Sequence, residues 1–188
     1  MKIVLASKSP RRKEILSLIC DEFEIRVSDA DESYDESTPL CDVPRILSLR
    51  KAMAVNMADD EIIIGCDTVV LINNKLLGKP KTREKAIEML KEMSGNSHEV
   101  ISGLTVRTAD KTYSEAVSST VYMRKLTDSE IEKYVDVWRP LDKAGAYGIQ
   151  EMAGSFVRRI EGDFYNIVGL PLCRLVEILL SEFGVSLS

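Results

Sequence analysis

The chain has 188 residues, enough for one domain with a substantial core, and a net charge of −5 from 30 acidic and 25 basic residues. Its 45% apolar and 29% charged content is that of a globular protein, and the acidic excess disfavours broad binding to nucleic acid. Four cysteines without a CxxC spacing and a single histidine, His98, exclude the usual zinc patterns, Cys–His nucleophile pairs and secreted disulfide frameworks.

A first buried strand is predicted over Lys2–Ala6, an apolar run too short for a signal-peptide core. A helix follows to about Ile19, with Ser9 able to cap it and Pro10 at the first helical position. Phe23–Val27 alternates apolar and charged residues as a strand does. Asp29–Glu36 is an acidic loop, and Asp42 and Pro44 start a second helix to about Met57. Ile62–Ile64 is a short apolar strand that Gly65-Cys66-Asp67-Thr68 is expected to break before Val69–Ile72 resumes it; Asn73-Asn74 is a hairpin turn. Within Thr82–Met93, Ala86, Met89, Leu90 and Met93 share one helical face, and Ser94-Gly95 ends the helix.

Strands are predicted near Glu99–Val106 and Tyr113–Met123. Thr127 and Glu130 form a capping box for a helix that presents Ile131, Tyr134, Val135 and Trp138, and Pro140 stops it. The small-residue stretch Asp142–Gln150 is a loop. Strands over Phe156–Ile160 and Tyr165–Val168 are expected to flank a turn at Glu161-Gly162-Asp163, and Pro171 opens a last helix to about Phe183. Mixed helices and local hairpins indicate an α/β fold with a mixed sheet. No apolar run reaches the roughly 18 residues of a membrane span. A reduced, cytoplasmic compartment is expected, and any metal would be a hard cation with oxygen ligands.

Basic residues gather locally at Lys8, Arg11, Arg12 and Lys13, at Arg50 and Lys51, and at Lys79, Lys81, Arg83 and Lys85, a pattern suited to a small polyanion. Arg11 and Arg12 fall in a first helical turn, where cations are electrostatically disfavoured unless an anion is bound; arginine forks match phosphate oxygens. The chain lacks GxxxxGK[ST], which excludes a P-loop. Asp67 interrupts an apolar run and needs a partner there. A metal, a catalytic water or a lysine would serve, and so would backbone N–H groups at a strand end; the residues alone leave these equally weighted. Taken singly, Lys51, Lys79, Glu32 and Gln150 read as solvated surface groups, and His98 as structural or exposed rather than catalytic.

Together, Leu5-Ala6-Ser7-Lys8-Ser9-Pro10-Arg11-Arg12, Arg50-Lys51-Ala52, Gly65-Cys66-Asp67-Thr68-Val69, Gly78-Lys79-Pro80, Met93-Ser94-Gly95, Asp142–Gln150 and Gly169-Leu170-Pro171 resemble the Maf family of nucleotide pyrophosphatases over essentially the whole chain. The resemblance implies a single two-lobed α/β domain of Maf/ITPase-like form over residues 1–188. It further implies a mixed, twisted sheet flanked by helices, a central nucleotide cleft, a divalent-metal requirement and a cytoplasmic enzyme, and it is compatible with a homodimer. It assigns proton acceptance to Asp67, specificity to Arg11, Thr68 and Gln150, and other active-site work to Ser9, Arg12, Glu32, Lys51 and Lys79.

The Asp67-Thr68 pair and Tyr147-Gly148-Ile149-Gln150 look like the subgroup acting on dTTP and UTP rather than the one acting on 7-methyl-GTP. A free aspartate, with a pKa of about 3.9, is a weak base at neutral pH. Mg²⁺ or Mn²⁺, held by Glu32, Asp67 or both, is therefore expected to acidify the attacking water. A second reading is a nucleotide-binding regulator of septum formation with little catalysis, against which the intact set of charged residues argues. A third, an RNA-binding module, is disfavoured by the acidic balance and the 6% aromatic content.

Overall fold

The computed structural model describes residues 1–27 and 29–186. Among these residues, seven strands form one mixed sheet: β1 (Lys2–Ala6), β2 (Glu24–Ile25), β3 (Glu61–Ile72), β4 (Lys75–Leu77), β5 (Ser97–Arg107), β6 (Thr112–Met123) and β7 (Val157–Glu161), in the order β2-β1-β3-β5-β6-β7 with β4 on β3. β2, β1 and β3 run parallel, and all other pairings are antiparallel. Among the described residues, six α-helices flank the sheet: α1 (Pro10–Leu16), α2 (Val43–Met53), α3 (Arg83–Met93), α4 (Asp128–Trp138), α5 (Phe164–Val168) and α6 (Leu172–Phe183). The α/β class with a mixed sheet is as the sequence predicts. No described helix is long and apolar enough to cross a membrane.

Local signals account for much of this. Asn73 and Asn74 both take positive φ, 49° and 58°, which builds the two-residue turn between β3 and β4. Thr82 caps α3, and the Thr127–Glu130 capping box opens α4 with both reciprocal bonds formed. α4 ends at Arg139, in the left-handed region with φ 44°, directly before Pro140.

Three expectations fail. Ser9 occupies the N-cap position of α1, but its side chain makes no capping bond; its backbone N–H donates to Ser7 Oγ at 3.2 Å instead. Gly65–Thr68 does not break a strand, because β3 is continuous from Glu61 to Ile72 and pairs with β5 through that stretch. Tyr165–Val168 is helix, not strand: the Asp163 carboxylate accepts the Tyr165 N–H at 2.7 Å and caps the turn that becomes α5.

Two large apolar clusters share β3. Ile62, Ile64 and Cys66 pack with β1, α1 and α6, whereas Val70 and Ile72 pack with α3, α4 and residues Ala146–Tyr147. A smaller cluster of Val4, Ala6, Ala52, Val55 and Ile63 fills the opposite face under α2. The change from one large cluster to the other falls at Asp67 and Thr68.

Candidate active site

β1 ends with Ala6 opposite Gly65, and β4 ends with Leu77 opposite Val70. Residues 66–69 of β3 therefore pair with β5 on one edge and face a gap on the other, among the described residues. The chain enters this gap from two sides, as Ser7-Lys8-Ser9 leaving β1 and as Gly78-Lys79-Pro80 leaving β4. Successive strand residues point to opposite faces. Asp67 thus shares the α2 face with Gly65, while Thr68 shares the other face with Cys66.

On the α2 face, helix and sheet approach unusually closely. A Cβ at Gly103, which pairs with Asp67, would fall on the Pro44 carbonyl. One at Gly65 would meet the Ser48 carbonyl and lie 2.8 Å from the Ala52 Cβ. The two glycines let α2 settle on the strands and bring Lys51 over Asp67. The buried Ser48 hydroxyl is satisfied by the Arg45 carbonyl and Thr105 Oγ1, each at 2.8 Å.

Lys51 Nζ donates to Asp67 Oδ1 and lies 3.0 Å from Glu32 Oε1. The Lys51 and Asp67 side chains are only 16% and 13% exposed, whereas that of Glu32 is 70% exposed. Burial opposes the Lys51 ammonium, but Asp67 and Glu32 outweigh it and hold Lys51 above the usual lysine range. The Lys51 ammonium, through its hydrogen bond and its charge, holds the Glu32 carboxyl below the usual carboxylate range, with Lys79 and Lys8 adding to the effect. Both lysines are exposed.

Glu32 and Asp67 converge on one positive centre. A hard divalent cation often uses one or two carboxylates and completes its shell with phosphate oxygens and water. The pair fits such an ion, and no described group of three or more Asp, Glu, His or Cys side chains could hold one unaided.

On the opposite face, Arg12 ties distant segments together. Its Nε donates to the Gly169 carbonyl at 2.8 Å, Nη1 to Ser7 Oγ at 3.2 Å and Nη2 to Thr68 Oγ1 at 3.1 Å. The protein thereby supplies acceptors for a cation in the first turn of α1, where the sequence alone suggests a bound anion. Thr68 Oγ1 also meets Ser102 Oγ at 2.8 Å, and a buried polar chain continues to the Asn166 carbonyl. Burial pushes the Cys66 thiol up, and it donates to Gly169 O at 3.1 Å.

The loop of residues 142–151 borders this face. Arg11 Nη1 lies 3.6 Å from Asp142, and the buried Lys143 lies 3.3 Å from both Asp142 and Glu151. Gly145 N–H donates to the Gly78 carbonyl at 3.2 Å, and the buried Tyr147 hydroxyl meets His98 Nε2 at 2.8 Å. Ile149 packs against both large clusters, and Gln150 beyond it is exposed.

The structure therefore brings Asp67, Lys51 and Glu32 into contact and sets Ser9 and Lys79 on the segments that flank the gap. Arg12 and Thr68 join each other on the far face. Arg11 and Gln150 belong to the loop side, without a direct contact to Asp67. Sequence reasoning gave no role to Ser7, Ser102 or Lys143. Ser7 lies within the first recognisable motif and Lys143 within the loop motif, whereas nothing in the sequence marks Ser102.

These features define a small α/β protein with a carboxylate–lysine site at a gap in a mixed sheet. The chain belongs to the Maf family: the family model described as Maf-like protein matches residues 2–182. It is similar to the dTTP/UTP pyrophosphatase of Alkaliphilus metalliredigens, 46% identical over 99% of this chain and 98% of the relative. It is likewise similar to proteins of that name from Thermoanaerobacter sp. strain X514, 47% identical over all of both chains, and from Clostridium botulinum strain Kyoto, 47% identical over 98% of each. The solved Ham1 protein of Staphylococcus aureus aligns over 68% of this chain and 73% of its own, at 19% identity and a TM-score of 0.45.

Proposed function

We propose that this protein hydrolyses dTTP and UTP to dTMP or UMP and pyrophosphate. The observation that carries the reading is the meeting of Asp67, Lys51 and Glu32 beside the gap in the sheet. Full-length similarity to relatives named dTTP/UTP pyrophosphatase supplies the substrate class.

A water oxygen bonds to the α-phosphorus while the bond from that phosphorus to the bridging oxygen of pyrophosphate breaks. Asp67 orients the water and takes its proton. Lys51 holds the Asp67 carboxylate in place and, with Lys79, offsets charge growing on the departing pyrophosphate. Ser9, on the segment leaving β1, contributes a hydroxyl to the phosphates. Arg12 spends three of its five N–H donors inside the protein, leaving two for a phosphate oxygen. A divalent cation, Mg²⁺ or Mn²⁺, held by Glu32, Asp67 and the phosphates, supplies Lewis-acid activation and charge neutralisation when bound.

Base preference is assigned to Arg11, Thr68 and Gln150. Uracil and thymine present an N3–H donor between carbonyl acceptors, and the Gln150 amide offers both an acceptor and donors. Thr68 acts through Arg12 and Ser102, to which its hydroxyl is committed, and Arg11 acts through the loop it holds at Asp142. The reading carries with it a cytoplasmic location, a homodimer and a single two-lobed domain over residues 1–188. The two large clusters that meet on β3 support the two lobes. No observation at the site favours a regulator of septum formation without catalysis.

A panel of nucleoside triphosphates with Mg²⁺ tests the proposal. Pyrophosphate and monophosphate are expected, with dTTP and UTP turned over fastest. Diphosphate plus inorganic phosphate, or no turnover of any nucleotide, would refute it.

A further inference from the structure

Arg50 precedes Lys51 on α2, yet its guanidinium does not join the carboxylate pair. Nη1 donates to the main-chain carbonyl of Ser33 and, at 3.4 Å, to that of Asp31. The Asp31 carboxylate lies 4.0 Å from the same nitrogen. These carbonyls flank Glu32 in sequence. Asp31 also folds the segment locally, its carboxylate accepting from the Ser33 N–H at 2.9 Å and the Ser33 hydroxyl at 2.6 Å.

Residues 31–35 lie in neither helix nor strand and are exposed. The Glu32 carboxylate reaches Lys51 from this exposed segment. A surface ion pair contributes little by itself, because ordering two long side chains offsets the Coulomb gain. With Glu32 70% exposed, the Lys51 contact orders the carboxylate but does not fix the backbone that carries it. Arg50 supplies what that contact lacks, a charge-assisted grip on the backbone to either side of Glu32 from a helix already seated on the sheet.

We infer that Arg50 is a positioning residue, which clamps the main chain of residues 31–33 to α2 so that the Glu32 carboxylate is delivered to Lys51 and Asp67. The inference rests on the proposed function, in which Glu32 helps to hold the divalent cation. Groups that orient metal ligands typically alter metal affinity by about 10–100-fold when removed. Arg50→Gln shortens the side chain and removes its charge, and so releases the clamp.

The test compares the unaltered protein, Arg50→Gln, Glu32→Gln and the double variant. Arg50→Gln is expected to raise the Mg²⁺ concentration for half-maximal pyrophosphate release by about tenfold. The KM for dTTP at saturating Mg²⁺ and the melting temperature should stay unchanged. In the Glu32→Gln background the same replacement should add nothing further, since a residue acting only through Glu32 has no effect once Glu32 is gone. Mn²⁺ binding to a complex with a non-hydrolysable dUTP analogue, followed by electron paramagnetic resonance, should weaken by the same factor. Hydrogen exchange at the Ser33 amide should accelerate.

Unchanged Mn²⁺ affinity and exchange in Arg50→Gln would overturn the inference. So would a raised KM that persists in the double variant, because Arg50 would then touch the phosphates directly. If the unaltered protein released no pyrophosphate, the functional reading would fail, while the Ser33 exchange rate would still decide whether Arg50 clamps the loop.

Discussion

Gly103 lies directly beneath the main-chain carbonyl of Pro44, so closely that a Cβ at this position would coincide with it. The contact sets the depth at which α2 rests on the sheet, two turns of helix before Lys51. Gly103→Ala must lift the N-terminal end of α2 and carry Lys51 off Asp67. We expect a destabilisation of about 1–3 kcal/mol, the usual effect of overpacking, together with a loss of turnover larger than the loss of stability explains. Thermal unfolding and pyrophosphate release measure the two effects. Gly78→Ala is the control for stability, since a Cβ there meets nothing within 4 Å.

Asp67→Asn keeps the shape of the side chain and removes its capacity to take a proton. Turnover should fall by about 10²–10⁴-fold, the usual contribution of a positioned base. Nucleotide should still bind, as judged by calorimetry. Near-normal turnover would remove Asp67 from the chemistry.

Gln150→Ala removes the exposed amide at the end of the 142–150 loop. The ranking of dTTP, UTP and CTP should change, because a bound base that buries the amide without pairing it loses about 1–3 kcal/mol. Steady-state kinetics with the three nucleotides give the ranking; an unaltered order would end its role as base reader.

Burial lowers the His98 pKa from 6.5 to about 4 in the folded protein. Between those values the unfolded chain takes up a proton that the folded protein does not, so stability falls as pH drops from 6.5 toward 4. The slope from this one group approaches about 1.4 kcal/mol per pH unit. His98→Gln retains a hydrogen-bonding partner for Tyr147 without a titrating ring, and its denaturant midpoint should be flatter across the same range.

Local chemistry made most elements legible in the sequence. The Thr127–Glu130 box, the Asn73-Asn74 turn and the spacing of Ala86, Leu90 and Met93 each act over a few residues, so one segment contains the whole signal. β3 was harder to read because Gly65 and Asp67 resemble strand breakers. Their reasons lie in another segment: α2 needs the space at Gly65, and Lys51 provides the partner for Asp67. Tyr165–Val168 is too short an apolar run for its period to distinguish strand from helix, and the Asp163 cap decides it.

At the site, the motifs named the charged residues but not their partners. The Arg12 bond to Gly169 spans 157 positions, a distance over which no spacing rule applies. The same limit hid Ser102, whose hydroxyl matters only because β5 places it opposite Thr68.

The gap beside residues 66–69 has a further consequence for how the protein tolerates change. Along this stretch, main-chain N–H and C=O groups that point away from β5 have no neighbouring strand among the described residues. Buried backbone groups require partners, so this is an edge at which a bound molecule can supply them. Such contacts belong to the peptide backbone and carry no side-chain identity. Most side-chain substitutions around the gap would leave these groups in place, whereas proline within residues 66–69 would remove an N–H donor.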